Sequence, residues 1–239
     1  MKFRTLGLLA AGLFVGPLTA QAVEIRVNLT VDNSYALFTG TESAATTFVG
    51  TDNDWPTVET YNFNLESNQY IYVVTASDLS VAQGFLGQFE NIDTGYKFYS
   101  NDPQWQVMAT GLRTGNYPYY GAPYSGSDDD LALLTQEILD ANGGGNESNG
   151  WAGVTAGIAN DGSGVWSGAR SGIDQAARWV WYSSNGDLDP TTPGFNHDEW
   201  LVFRIAVASR PTGEVPEPGT LALLGLGLAG LGLSRRRKA

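Results

Sequence analysis

The sequence predicts an all-β fold, an antiparallel β-sandwich carrying one short helix. Three observations point there. Apolar and polar residues alternate with a period of two along several segments, as on strands with one buried face. Gly, Asn or Asp stands at nearly every break between them, the spacing of an antiparallel sandwich. The composition, 12% aromatic with 30 glycines and only 16% charged residues in 239, excludes intrinsic disorder and long helical or coiled-coil architectures, both of which need more charge.

Val23, Ile25, Val27, Leu29 and Val31 alternate with Glu24, Arg26, Asn28 and Thr30, which predicts a half-buried strand. Ser34 to Phe38 follows as the next candidate. Tyr61, Phe63 and Leu65 alternate with Asn62, Asn64 and Glu66 in the same way. Gln69 to Ser77 contains the unbroken run Tyr70-Ile71-Tyr72-Val73-Val74, expected of a strand covered on both faces. Ala82 to Phe89, Tyr96 to Tyr99, Trp105 to Ala109, Arg178 to Ser183 and Trp200 to Ala208 complete the set.

One helix interrupts the strands. Ser127 with Asp130 forms a capping-box-like start, and Asp128 and Asp129 complement the positive helix end. Leu131, Leu134 and Ile138 share a face, and Asn142-Gly143 stops the helix. The three acids serve as dipole partners or as cation ligands. From Gly143 to Gly172 the chain contains ten glycines, a long irregular excursion with Trp151 and Trp166 as its anchors.

The two ends read as sorting segments. Lys2 and Arg4, the apolar run Leu6 to Val15, and Ala20 and Ala22 before Val23 form a secretory signal peptide over residues 1–22. Residues 23–213 are then the folded domain, large enough to bury a core without staples. It has no cysteine, so disulfides are excluded. Residues 23–214 carry 24 acids against 7 bases, a balance of −17, and such a surface repels nucleic acid and anionic lipid.

Residues 214–239 carry the most specific pattern. Val215-Pro216-Glu217-Pro218-Gly219-Thr220 precedes an uncharged run from Leu221 to Leu233, with Leu221, Leu224, Leu228 and Leu233 as its apolar markers, and Ser234-Arg235-Arg236-Arg237-Lys238-Ala239 ends the chain. The prolines hold their segment extended. The 15 residues from Gly219 to Leu233 reach about 22 Å as a helix, short of the roughly 30 Å hydrocarbon core. The four bases behind this hydrophobic helix stay cytoplasmic under the positive-inside rule, which places the domain outside. Pro216, Glu217 and Pro218, the apolar run and the basic end, in that order, resemble a PEP-CTERM sorting signal. The resemblance implies export in a Gram-negative bacterium, transient inner-membrane anchoring, an exosortase as partner, and delivery to the cell surface or extracellular polysaccharide matrix.

Two internal segments resemble galactose-binding-like jelly rolls. Val31-Asp32-Asn33-Ser34-Tyr35-Ala36-Leu37-Phe38, followed by Gly40, is similar to a hairpin of that class in which Asp-Asn turns the chain between strands, although Thr39 stands where Asn is expected. Arg178-Trp179-Val180-Trp181 and Trp200-Leu201-Val202-Phe203-Arg204 are similar to its closing strand pair. Trp179 and Trp181, two apart, are expected on one face.

The residue inventory limits the chemistry. One histidine, His197, and no cysteine exclude a Cys/His pair and the usual zinc cluster. Neither a G-x-S-x-G elbow nor a phosphate-binding glycine loop occurs. No catalytic residue is assigned, and the protein is read as a non-enzyme; the alternative is a secreted glycoside hydrolase using two carboxylates roughly 5–9.5 Å apart. No cofactor is expected beyond a structural calcium, for which Asp52 and Asp54 in one turn and Asp187 and Asp189 in another offer oxygen ligands; such residues also serve their own turns. Asn116 to Tyr124 holds Tyr117, Tyr119, Tyr120 and Tyr124 with two prolines. This segment is either a sugar-stacking platform or a lid with its rings packed inward. The sum is an exported, non-catalytic protein that binds glycan or builds the exopolysaccharide matrix.

Overall fold

The computed structural model describes residues 22–77, 82–113, 126–146, 148–182 and 199–206; both sorting segments lie outside them. The alternation at the start of the domain becomes β1 (Val23–Asp32), whose Val27 and Leu29 are fully buried while Glu24 and Arg26 are exposed. In order follow β2 (Ser34–Thr41), β3 (Ala44–Asp52), β4 (Glu59–Leu65), β5 (Tyr70–Ala76), β6 (Gly84–Asn91), β7 (Tyr96–Tyr99) and β8 (Gln106–Arg113). After α1 (Asp128–Gly143) come β9 (Ala152–Gly153), β10 (Thr155–Ala159), β11 (Arg178–Trp181) and β12 (Glu199–Ala206).

These strands form two antiparallel sheets. Sheet I runs β10-β11-β6-β1-β4, and β7 shares the outer edge of β6 with β11; sheet II runs β3-β2-β5-β12-β8-β9. Their facing side chains make the main core: Val27 and Leu29 of β1 and Phe85 and Phe89 of β6 meet Leu37 of β2, Val73 of β5 and Phe203 of β12. The Phe85 ring lies 5.3 Å from Trp105 and 5.4 Å from Phe203. Gly87 is required between the two phenylalanines, because a Cβ there would stand 2.9 Å from both rings.

Each sheet is also covered on its outer face. On sheet II, Leu134, Ile138 and Ala141 of α1 pack over Phe38, Tyr72, Val74 and Val202, so β5 is buried on both faces, as its unbroken apolar run predicts. Ser127 caps α1 by accepting from the Asp130 N–H at 3.2 Å. The helix runs through Gly143, one residue past its expected stop, and Gly144 takes the left-handed cap at φ 74°. On sheet I the glycine-rich excursion folds back so that Trp166 stacks on Trp179, centroids 4.0 Å apart, with Leu86, Ile173 and Ala177 around them. Asn160 braces this cap, donating to the carbonyls of Arg170 and Ile173 and accepting from the Arg170 N–H.

The structure departs from expectation in three places. Asp32-Asn33 turns the chain between strands, but β1 and β2 belong to different sheets, so the segment is a crossover and not a hairpin. Likewise β11 and β12 lie in opposite sheets; they meet only through side chains such as Trp181 and Phe203, 5.8 Å apart. Trp179 and Trp181 are both buried yet join different clusters, Trp179 outside sheet I and Trp181 in the inter-sheet core. Trp181 is the last residue of a four-residue strand and enters the same core as its neighbour Val180, so the period-two alternation ends there.

Burial of tyrosine hydroxyls sets an alkaline limit. Burial pushes the Tyr72 hydroxyl up to about 12, against a partial opposing effect of Arg204, and it raises Tyr35 as well. In the unfolded chain both ionise near pH 10. Above that pH the unfolded state loses protons that the folded state keeps, so stability is expected to hold below about pH 10 and fall as pH rises toward 12. Chemical denaturation at stepped pH checks this. A midpoint unchanged through pH 12 would show that the hydroxyls ionise freely in the fold.

Candidate functional site

Most residues singled out for function lie outside the described residues: Tyr117, Tyr119, Tyr120 and Tyr124, Asp187 and Asp189, His197, and the sorting residues Pro216, Glu217 and Pro218 with Leu221, Leu224, Leu228 and Leu233. Asp52 and Asp54 are described. The Asp52 carboxylate accepts from the Asp54 N–H at 2.8 Å, and Asp54 Oδ2 accepts from the Thr57 hydroxyl at 2.8 Å. Both acids thus hold the turn that carries the chain from β3 in sheet II to β4 in sheet I. Among the described residues, no group of three or more His, Cys, Asp or Glu side chains is placed to share a metal ion.

All seven tryptophans are described, and none is an exposed stacking surface. Trp105, Trp166, Trp179, Trp181 and Trp200 are buried. Trp55 and Trp151 are half-buried, and each carries an arginine on its ring: Arg170 at 5.2 Å from Trp55 and Arg204 at 3.7 Å from Trp151.

Arg204 is a buried cation, 5% exposed, that pairs with no carboxylate among the described residues. Its Nε donates to Gln106 at 2.9 Å, and Nη1 donates to the Glu42 carbonyl and to Asn142 Oδ1 at 3.1 and 3.0 Å. Trp151 closes the ring of contacts by donating from Nε1 to the same Asn142 oxygen at 2.8 Å. Tyr70 lies 5.3 Å from the guanidinium on the sheet side. A planar, weakly hydrated cation suits such an aromatic and carbonyl cage. The cage ties the β2–β3 turn, the end of α1 and the start of β9 to the last strand.

The outer face of sheet I beyond the tryptophan cap is hydrophilic. Register brings Arg26 beside Asn62 and Glu90, and Asn28 beside Thr60 and Gln88. The Thr60 hydroxyl donates to Asn28 Oδ1 at 2.9 Å, while Asn28 Nδ2 donates to the Gly172 carbonyl at 2.7 Å. At the cap's margin the Lys97 ammonium and the Tyr99 hydroxyl both contact Asp174 Oδ2, at 3.2 and 3.0 Å. This face offers amides, hydroxyls and a few paired charges, the groups that exchange hydrogen bonds with hydroxylated ligands. Sequence alternation marks these side chains as outward, but only the β4-β1-β6-β7 register gathers them.

The chain is a two-sheet antiparallel β protein, and its C-terminal segment defines its route. Residues 214–238 match the PEP-CTERM protein-sorting motif, which implies export, a transient membrane-anchored stage with processing by an exosortase, and surface localisation. No curated protein and no solved structure matches the chain. Among the described residues, no helix is long and apolar enough to cross a membrane.

Proposed function

We propose that the protein is a non-catalytic component of the extracellular polysaccharide matrix, which binds a neutral or cationic glycan through Tyr117, Tyr119, Tyr120 and Tyr124. The observation that carries the reading is the sorting motif at residues 214–238. Support also comes from the tryptophans, each buried or covered by an arginine, and from the charge of −17 over residues 23–214, 7 bases against 24 acids, which opposes uronic-acid polymers. In this reading the signal peptide ends before Val23, residues 23–213 form the binding domain, and the tail is removed near Pro216-Glu217-Pro218.

Protein recovered from the cell surface, sized by mass spectrometry and titrated with matrix polysaccharide, tests both parts. The expected mass begins at Val23 and lacks the run from Leu221 to Lys238; peptides spanning that run in released protein would exclude processing. A Tyr119→Ala/Tyr120→Ala double variant is expected to lose affinity at low and high salt alike, about 1–3 kcal/mol per stacked ring by analogy with aromatic stacking on bases. Equal affinity in both proteins would remove the tyrosine segment from the site. Loss of binding with a chelator in the unsubstituted protein would transfer the role to a calcium-bridged site at Asp52 and Asp54 or Asp187 and Asp189.

A further inference from the structure

An open sheet edge is a row of unpaired backbone donors and acceptors, which proteins blunt with short strands, bulges, lysine, proline or a covering element. Among the described strands, four of the edges are blunted. β3 carries two register shifts against β2 and has α1 packed on it, with the Thr135 hydroxyl donating to the Ala45 carbonyl. β7 is four residues long and includes Lys97, β9 is two residues long, and β10 has a register shift against β11. β4 differs from all of them. Its seven residues pair with β1 in unbroken register from Glu59↔Leu29 to Leu65↔Val23, and they include no lysine, arginine or proline. Among the described residues no strand pairs with its second edge.

We propose that the free edge of β4 is a self-association surface, pairing antiparallel with β4 of a second copy about a twofold axis at Asn62. The sequence is self-complementary in that register. Tyr61 falls opposite Phe63 of the other copy, and Phe63 opposite its Tyr61, so two half-buried aromatics on the core face of each strand gain cross-strand partners. Thr60 falls opposite Asn64, and Asn62 opposite itself, on the hydrophilic face. Glu59 meets Leu65 and Glu66 meets Val58, so no acid meets an acid. An isologous interface requires this self-matching, and no acid lies between Thr60 and Leu65 to oppose it. The pairing joins sheet I of both copies into one sheet and merges their hydrophilic outer faces. It is independent of which glycan, if any, the protein binds.

The test uses the full chain in a mild non-ionic detergent. Because the chain has no cysteine, Asn62→Cys introduces a single thiol. Across the twofold the two copies of residue 62 stand about 4.5–5.5 Å apart between Cα atoms, within disulfide range. In an Asn64→Cys variant the two thiols are about 14 Å apart. The expected result is a covalent dimer on mild oxidation for Asn62→Cys and none for Asn64→Cys. Sedimentation is expected to show a dimer for the unsubstituted chain, with dissociation about tenfold easier for Asn62→Lys, which sets two like charges opposite each other. Asn62 is exposed, so these variants keep the fold, which intrinsic tryptophan fluorescence verifies. A monomer at all concentrations, equal cross-linking at 62 and 64, or a dimer indifferent to Asn62→Lys would each overturn the proposal, the last because it would place the contact away from β4.

Discussion

Replacing Trp166 or Trp179 with alanine is expected to lower stability by about 3–5 kcal/mol, a large part of the roughly 5–15 kcal/mol that holds a domain folded. Each indole is 2% exposed and the pair is stacked within 13° of parallel, so either deletion leaves a cavity and an orphaned ring. Trp166 also donates from Nε1 to Asp32 Oδ2 at 2.6 Å in a buried setting. Its loss leaves a carboxylate with one fewer donor. The space beneath the pair is fitted to Gly84, where a Cβ would lie 2.7 Å from Trp179 and 2.9 Å from Trp166. Chemical denaturation measures the effect, and amide exchange locates it: exchange is expected to quicken first across residues 160–177, which Trp166 pins to sheet I. A Trp166→Ala protein with an unchanged midpoint would show that the cap stabilises nothing.

Arg204→Ala is expected to cost a comparable amount, about 3–5 kcal/mol, because it strands several polar partners at once. Gln106 Oε1, Asn142 Oδ1 and the Glu42 carbonyl lose a charged donor, and Trp151 loses the cation on its face. Arg204→Lys separates charge from shape. Lysine keeps the charge but cannot present a flat fork to three acceptors while stacking on an indole, so it is expected to recover less than half of the loss. Denaturation of both variants decides the matter; full stability in Arg204→Lys would mean that charge alone matters. Trp151 emission is expected to shift to the red in the alanine variant as the ring gains water.

The sequence makes legible whatever depends on local pattern. β1, β4 and β5 follow from alternation or its absence, and α1 from Ser127, its three following acids and the spacing of Leu134 and Ile138. β3 escapes because Ala44-Ala45-Thr46-Thr47 is small and polar and because two register shifts break its period. β9 and β10 lie in a glycine-rich stretch, and β8 and β11 as pairing partners make them strands. The cage around Arg204 was equally hidden, since its members come from residues 42, 70, 106, 142, 151 and 204. Pairing partners also elude pattern: Asp32-Asn33 reads as a turn, but which sheets it connects depends on contacts far along the chain. The sorting tail is the opposite case, because linear order is the whole of its signal.

The position of β12 in sheet II bears on how the protein is exported. β12 is the last strand in the described chain and yet an interior one, hydrogen-bonded to β5 on one side and β8 on the other. Without residues 199–206, β3-β2-β5 and β8-β9 are separate fragments of sheet II, each with an unpaired edge. Maturation therefore cannot proceed piecemeal from the N-terminus; it waits for the end of the domain. Only seven residues separate Ala206 from Glu214, where the sorting motif begins, so the two are at most about 29 Å apart along the chain. The strand that completes sheet II thus lies directly before the sorting motif, and a chain truncated before β12 would lack both.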